Sequence, residues 1–200
     1  IAFGTFSNIP YITDILLAMI LQQGQNIVEK RYIKDSVGDF KIKYDVTINS
    51  ALDDNSVNPL NSVLAFTKDF ADIKKSVYNW SPKLNNALQE FLSGNLAFYI
   101  GYASDLDYIK TSNQKLYLDY AILPQVENSK ILSTYGKLYV IFMLNTSPSP
   151  DLAMPVMQAI ATTYFGDMIA EVVGGITPQK QKIAEAINSG DHLSEILGNS

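Results

Sequence analysis

The sequence predicts an α/β fold in which helices alternate with the strands of a mainly parallel sheet. Three short apolar runs, at residues 96–100, 117–123 and 139–144, are typical of strands that are buried on both faces. Stretches with apolar residues at helical spacing precede and separate these runs. Because the two kinds of element alternate along the chain, a parallel sheet covered by helices is favoured over an all-helical fold.

The first half of the chain contains three predicted helices. Asn8 or Thr13 can cap the first, which has apolar residues from Ile12 to Ile20 and ends near Gly24. Residues 25–58 look irregular and partly β, since apolar and polar residues alternate there. Asn58-Pro59 is typical of a helix start, and the third helix is expected over residues 84–92.

Residues 91–104 contain the most informative pattern. Gly94 lies where a helix end requires a left-handed residue, and the apolar run 96–100 follows it. Gly101 permits a close approach of the backbone at the end of that run, and Ser104 can cap the next helix, which reaches about Lys110. Ligands bind at the carboxyl ends of strands in open α/β sheets, so Tyr102 is placed at a ligand-binding position.

The last third of the chain begins with a Ser/Pro-rich connection at residues 145–150. A helix is predicted over residues 151–164, with Ser149 as its cap and Pro155 tolerated near its first turn. The helical pattern weakens from Gly166, and a short polar helix is expected over residues 179–188.

Composition and charge indicate a globular protein and exclude several classes of partner. The 200 residues are 47% hydrophobic and 18% charged, with a formal net charge of −5. Lys and Arg are dispersed, which argues against nucleic acid or an anionic membrane as the main partner. No apolar run approaches the ~18 residues that span a bilayer. The chain begins at Ile1 with no signal-peptide pattern, and we interpret it as a fragment or a processed product.

The sequence does not indicate an enzyme, a cofactor or a metal site. Cysteine is absent, and the single histidine, His192, lies in a polar tail, so neither a catalytic triad nor a histidine-rich metal site can be assembled. No phosphate-binding or dinucleotide-binding glycine motif occurs. Asp53-Asp54-Asn55 does not have the spacing of a calcium-binding loop and is expected to be a solvated turn.

The order and spacing of several blocks resemble the bacterial extracellular solute-binding proteins of the maltose-binding type, which are the receptors of ABC importers. The resemblance runs from Ile1 to about Ala161, and no single block is specific by itself. The blocks are Ile1-Ala-Phe-Gly-Thr with Asn8-Ile9, Asp14 to Gly24, Ala65-Phe66, Phe70 to Lys74, Tyr78-Asn-Trp80, Phe91 to Ser104, Asn113, Leu118 to Gln125, and Tyr135 to Tyr139.

This resemblance implies a type II periplasmic-binding-protein-like architecture with two α/β lobes and a solute in the cleft between them. Residues 1–120 would form mostly the C-terminal lobe, 121–165 a hinge-crossing strand and part of the other lobe, and 166–200 a helical tail. Much of the N-terminal lobe would be missing. The family implies a monomer on the extracellular face of the membrane or in the periplasm, tethered in its complete form and docking on ABC permease subunits.

Seven residues are candidate contacts to a small polar solute, with a sugar or oligosaccharide expected. Tyr102 offers both a stacking face and a hydroxyl, and Trp80, the only tryptophan, could stack on a sugar or pin a loop. Asn8 and Gln22 are neutral amides, and Asn8 is equally a helix cap. Tyr135 and Gly136 are expected at a cleft edge, where glycine lets backbone N–H groups reach the solute. Asp105 could accept hydrogen bonds from hydroxyls, or could favour the dipole of its helix.

Two other functions stay open from the sequence. A surface receptor or adhesion module on the same scaffold would bind a solute without transporting it, since a fold does not fix a function. A glycoside hydrolase would use carboxylates such as Asp105 and Asp107, although no glycosidase motif surrounds them.

Overall fold

The computed structural model of the protein describes residues 1–34, 36–50, 58–127, 132–138 and 140–173. The chain divides into two compact units. Unit 1 contains Ile1–Gly101 and Leu123–Tyr135, and unit 2 contains Tyr102–Ile122 and the described residues from Gly136 onward. The elements in chain order are α1 (Ile12–Gln22), β1 (Val28–Lys34), β2 (Phe40–Val46), α2 (Pro59–Asp69), α3 (Ala87–Leu92), α4 (Asp105–Ser112), α5 (Pro150–Ile160) and α6 (Thr163–Val173).

The core of unit 1 is the buried side of α1 together with parts of the chain that pack against it. Ile12, Ile15, Leu16 and Ile20 follow helical spacing and are all buried. The segment before α1 and the residues Val63, Trp80, Ala87 and Leu96 complete the same cluster.

A ring cluster joins the start of the chain to α2. The ring of Phe3 lies 5.1 Å from that of Phe70 and 6.1 Å from that of Phe66, with the Phe3–Phe70 pair edge to face. Gly4 follows with φ of 106°, and a Cβ added there would lie 2.7 Å from the backbone nitrogen of Ala71. Glycine is therefore required at position 4 both by conformation and by space.

Strands β1 and β2 form an antiparallel hairpin, which is the sheet that the described residues contain. Their register pairs Val28 with Val46 at the open end and Lys34 with Phe40 next to the turn. The predicted β character of residues 25–58 is confirmed for this hairpin.

Two helix ends follow the predicted chemistry. The Asn58 side chain accepts hydrogen bonds from the backbone nitrogens of Leu60 and Asn61, and Pro59 opens α2. Gly94 has φ of 78°, as a residue following a helix C-terminus requires. Both predictions are confirmed.

Unit 2 contains α4, α5, α6 and the extended segments around them. Ile109 is the buried apolar residue of α4, and α5 contacts α6. Ser104 precedes α4 as predicted, but its side chain makes no capping hydrogen bond. Pro155 is the sixth residue of α5, well beyond the first turn where it was expected.

The three apolar runs are not strands in the described residues, so that prediction is wrong at the level of local structure. The observed hairpin is antiparallel, and residues 96–100, 117–123 and 140–144 pair with no strand; Tyr139 lies outside the described residues. A strand requires a neighbouring ladder, which an apolar run cannot supply by itself. Leu96 is buried against helices, whereas Phe98 is 70% exposed, which differs from burial on two faces.

Three predicted helix boundaries are also wrong. Helix α1 begins at Ile12 after Tyr11, so neither Asn8 nor Thr13 caps it. Helix α3 begins at Ala87 because Asn86 caps it by accepting the backbone N–H of Leu88. Helix α6 begins at Thr163, inside the single helix predicted over residues 151–164, and it continues through Gly166 to Val173, where the pattern was expected to weaken. The predicted helix at 179–188 and the Asp53-Asp54-Asn55 turn lie outside the described residues.

Candidate functional site

Asn8 is the centre of a buried polar cluster that joins two loops of unit 1. Its Nδ2 donates to the carbonyl oxygens of Ser81 at 2.9 Å and Leu84 at 3.0 Å. Its Oδ1 accepts from the Thr5 hydroxyl and from the indole of Trp80. A side-chain amide has two donors and an acceptor oxygen with two lone pairs, so these four bonds use its full capacity. Asn8 therefore has a structural role here, and it would contact a solute only after exchanging one of these partners.

Trp80 fills the core of unit 1 beside this amide. The side chain is 4% exposed, and Nε1 donates to Oδ1 of Asn8 at 3.1 Å. A buried indole with a satisfied N–H stabilises the loop that carries it. Of the two interpretations of Trp80 from the sequence, this geometry favours loop anchoring over sugar stacking.

Gln22 connects the end of α1 to the returning segment 123–135. Its Nε2 donates to the carbonyl oxygens of Pro124 at 3.1 Å and Ser133 at 3.2 Å, and the residue is buried. Gln125 joins the two ends of the same segment, because its side-chain Oε1 accepts a hydrogen bond from the backbone N–H of Ser133. The amide of Gln22 therefore holds both ends of this segment against α1.

Tyr102 and Asp105 form a compact turn at the start of α4 in unit 2. The backbone N–H of Tyr102 donates to Oδ2 of Asp105 at 3.3 Å, and the backbone N–H of Asp105 donates to the carbonyl of Tyr102 at 3.0 Å. These reciprocal bonds fix the main chain from which the half-buried tyrosine side chain projects. Asp105 thus positions Tyr102, in addition to placing a negative charge in the first turn of α4.

Lys137 belongs to the same cluster, which sequence reasoning missed. Its Nζ lies 4.5 Å from the centroid of the Tyr102 ring, within the distance of a cation–π contact. The sequence around Gly136 and Lys137 contains no local signal for this contact, because the ring lies 35 positions away along the chain. Tyr102, Asp105 and Lys137 together present an aromatic face, a carboxylate and an ammonium group.

Tyr135 and Gly136 lie on either side of a boundary between the units. Tyr135 is the last residue of the returning segment of unit 1 and is half-buried, and Gly136 opens the next part of unit 2. A Cβ added to Gly136 would meet nothing within 4 Å, so the described surroundings leave open space at this backbone. The chain also passes from unit 1 to unit 2 directly before Tyr102.

A small polar pocket, which the sequence did not indicate, lies beside the hairpin in unit 1. Its volume is about 240 Å³, and Gln25, Arg31 and Thr47 are among its lining residues. The Gln25 Nε2 donates to the Thr47 carbonyl at 2.6 Å, whereas its buried Oε1 has no hydrogen-bond partner among the described residues. A buried carbonyl of this kind is satisfied by a donor such as a water molecule.

Other kinds of site are not found in the described part of the chain. It has no group of three or more His, Cys, Asp or Glu residues that could hold a metal ion. None of its helices is long and apolar enough to cross a bilayer. Comparisons with protein-family models, curated proteins and solved structures found no match to the chain.

Proposed function

We propose that this chain is part of an extracellular solute-binding receptor of an ABC importer, with a two-lobe type II architecture, and that it forms mostly the C-terminal lobe. The receptor holds a sugar or oligosaccharide by aromatic stacking and hydrogen bonds and needs no covalent chemistry. Closure of the lobes on the solute would give the form that docks on the permease subunits. The complete protein would be held at the outer face of the membrane by a tether.

The placement of Tyr102 is the observation that carries this proposal. The residue opens unit 2, its backbone is fixed by reciprocal hydrogen bonds with Asp105, and its ring contacts Lys137. A rigid aromatic side chain stacks on a sugar face at low conformational cost, and its hydroxyl adds a hydrogen-bonding group. Polar groups arranged around an apolar surface are typical of small-molecule sites.

The division of the chain supports the same interpretation. Three changes of unit, at 101/102, 122/123 and 135/136, mean that the polypeptide connects the units several times. Repeated connections are what the resemblance to two-lobe receptors implies. Two of these changes fall at candidate residues, namely Tyr102 and the pair Tyr135 and Gly136.

The geometry also separates the candidate residues by role. Tyr102, Asp105, Lys137 and the backbone around Gly136 are the proposed solute contacts. Asn8, Trp80 and Gln22 support the scaffold, because their polar groups are engaged in buried or partly buried hydrogen bonds. A Lys137 ammonium beside the ring suits a solute whose hydroxyl or anionic group can accept a hydrogen bond.

The test is calorimetric titration of the chain, and of its longer parent, with mono- and oligosaccharides, amino acids and polyamines. We expect saturable binding of one sugar class that Tyr102→Ala weakens by about tenfold or more, equivalent to 1.4 kcal/mol. Tyr108→Ala is the matched control, since Tyr108 lies on α4, outside the turn that contains Tyr102, and is exposed. Equal losses in both variants, or no sugar binding by the folded parent, would overturn the proposal.

A further inference from the structure

The β1–β2 hairpin has one face rich in aromatic and aliphatic side chains that lies open to solvent. Side chains alternate between faces along a strand, and the observed register places eight residues on this face. Tyr32 is 64% exposed and Phe40 70% exposed, and the other apolar members are also exposed. We call this surface the aromatic–lysine face; it consists of Val28, Lys30, Tyr32, Lys34, Phe40, Ile42, Tyr44 and Val46.

The charges of this face have one sign. The two charged residues of this face are lysines, and the ammonium group of each lies over an aromatic ring of the same face. Lys30 Nζ is 5.0 Å from the centroid of the Tyr32 ring, and Lys34 Nζ is 5.5 Å from that of Phe40. The two carboxylates of the strands lie on the opposite face, where Asp45 contacts Arg31 at 3.3 Å and Lys43 at 2.7 Å. The strands carry five cationic and two acidic residues, whereas the whole sequence has a net charge of −5.

The free edges of the hairpin belong to the same residues. The backbone N–H of Thr47 donates to the carbonyl of Ile27 at 3.0 Å, so this pair is hydrogen-bonded. Bonded and non-bonded pairs alternate in an antiparallel ladder, so the next pair, Val28 with Val46, is non-bonded, and so is every second pair after it. The backbone N–H and C=O groups that point away from the partner strand therefore belong to the residues whose side chains form the aromatic–lysine face. Among the described residues, no third strand pairs with these groups.

We propose that the outer edge of β1 is a docking site for an extended, acidic segment of a partner polypeptide, which adds to the hairpin as a third strand. Backbone groups of Val28, Lys30, Tyr32 and Lys34 would bond to the added strand. On the aromatic–lysine face, acidic residues of the partner would lie opposite Lys30 and Lys34, and apolar residues opposite Val28 and Tyr32.

Charge and hydrogen bonding favour this occupant over two others. Inserting the face into lipid would bury the unpaired backbone groups of its own residues, which is costly in hydrocarbon. A second copy paired along β1 would place lysines near lysines, and like charges opposite one another destabilise a sheet. An acidic strand satisfies the backbone groups and the lysines together. This inference is independent of the solute proposed above.

The test uses the 200-residue chain and a labelled ten-residue peptide whose odd positions carry Val and Glu in turn and whose even positions carry Thr, so that Val and Glu alternate along one face of the extended peptide. Lys replaces Glu in a second peptide. We expect the Glu peptide to bind at least tenfold more tightly than the Lys peptide. Lys34→Glu should weaken binding of the Glu peptide at least fivefold. Lys41→Glu is the matched control, because it makes the same charge change near the same turn but on the opposite face, and it should alter binding less than twofold.

A backbone readout distinguishes strand addition from charge attraction alone. Two versions of the Glu peptide carry N-methyl groups on alternate backbone nitrogens, one at the odd positions and the other at the even positions. One version should not bind and the other should bind as before, since only one set of N–H groups points at β1. Equal effects of Lys34→Glu and Lys41→Glu, or insensitivity to both methylation patterns, would overturn the proposal. Binding of anionic phosphatidylglycerol vesicles that depends on Lys34, or a dimer in sedimentation that Lys34→Glu dissociates, would overturn the choice of partner.

Discussion

The indole Nε1 of Trp80 donates to the side-chain oxygen of Asn8 across 72 positions of sequence, at 3.1 Å and in a buried environment. This bond joins the segment before α1 to the loop that follows α2. The backbone carbonyl of Asn8 adds a second connection by accepting the N–H of Ala87 at 2.8 Å. Two residues that the sequence offers as candidate solute contacts are thus bound to each other in the core of unit 1.

Asn8→Ala should lower the free energy of unfolding by about 1–3 kcal/mol, because it leaves the Trp80 N–H and nearby carbonyls without their partner. Urea denaturation followed by circular dichroism measures this change. Asn61→Ala is the control, since Asn61 is exposed on α2 and should change stability by less than about 0.5 kcal/mol. Similar stabilities of the two variants would show that the polar cluster does not hold the loops.

The Trp80 fluorescence of the native chain should resist quenching by acrylamide, because the side chain is 4% exposed. Unfolding in urea should raise the quenching constant severalfold, and a saturating sugar should leave it unchanged in the native chain. If a solute stacked directly on Trp80, the indole would be accessible to acrylamide before binding and protected from it afterwards. Strong quenching of the native chain, reduced by the solute, would contradict the anchoring role.

Gly4→Ala should destabilise unit 1 by more than about 3 kcal/mol, because a left-handed φ and an overlap with the α2 end act together. Gly94→Ala is the matched comparison. Position 94 also has a positive φ, but its added Cβ meets no atom of the described residues within 4 Å, so only the conformational cost of about 1–2 kcal/mol remains. Thermal unfolding of both variants separates the two effects, and equal losses would exclude the overlap.

The helix start at Asn58-Pro59 and the helix end at Gly94 were predicted correctly from the sequence. Asn58-Pro59 and Gly94 act through groups within a few residues, so their roles can be recognised without tertiary knowledge. The role of Asn8 could not be recognised in this way. Its sequence neighbours suggest a helix cap, whereas its amide binds loop carbonyls more than 70 positions away. Strand pairing is non-local in the same way, and an apolar run such as 96–100 does not specify its neighbour.

The site was predicted unevenly for the same reason. Tyr102 was identified from its position between a glycine and a helix start, which is a local pattern. Lys137 was missed because its contact with the Tyr102 ring joins residues 35 positions apart in sequence. A lysine after a Gly has no local signature that distinguishes a contact to an aromatic ring from an ordinary solvated side chain.

Gln22→Leu should loosen the returning segment while leaving α1 folded, because the two carbonyls that the amide bonds would lose their donor. Hydrogen exchange with mass spectrometry should show faster exchange in residues 123–127 and 132–135 than in the native chain, and little change in α2. Gln23→Leu is the control, since Gln23 is exposed at the neighbouring position. Identical exchange in the two variants would contradict a role for Gln22 in holding the segment.

Glu90 should make stability depend on pH in the acid range. Its carboxylate accepts hydrogen bonds from Asn95 at 2.9 Å and Asn85 at 2.7 Å, which hold the pKa of Glu90 below its ordinary value of 4.5. A depressed folded-state pKa means that the ionised form stabilises the fold above the unfolded-state pKa, and that this contribution is lost as the pH falls through the folded-state pKa.

The carboxyl carbon of Glu90, followed by NMR, should therefore titrate with a midpoint below 4.5 in the native chain. Asn95→Ala should raise that midpoint more than Asn85→Ala, because the bond to Asn95 is the larger cause. The stability difference between the native chain and Glu90→Gln should shrink as the pH is lowered. A native midpoint at or above 4.5, or one that neither asparagine variant moves, would show that these bonds do not stabilise the charged carboxylate.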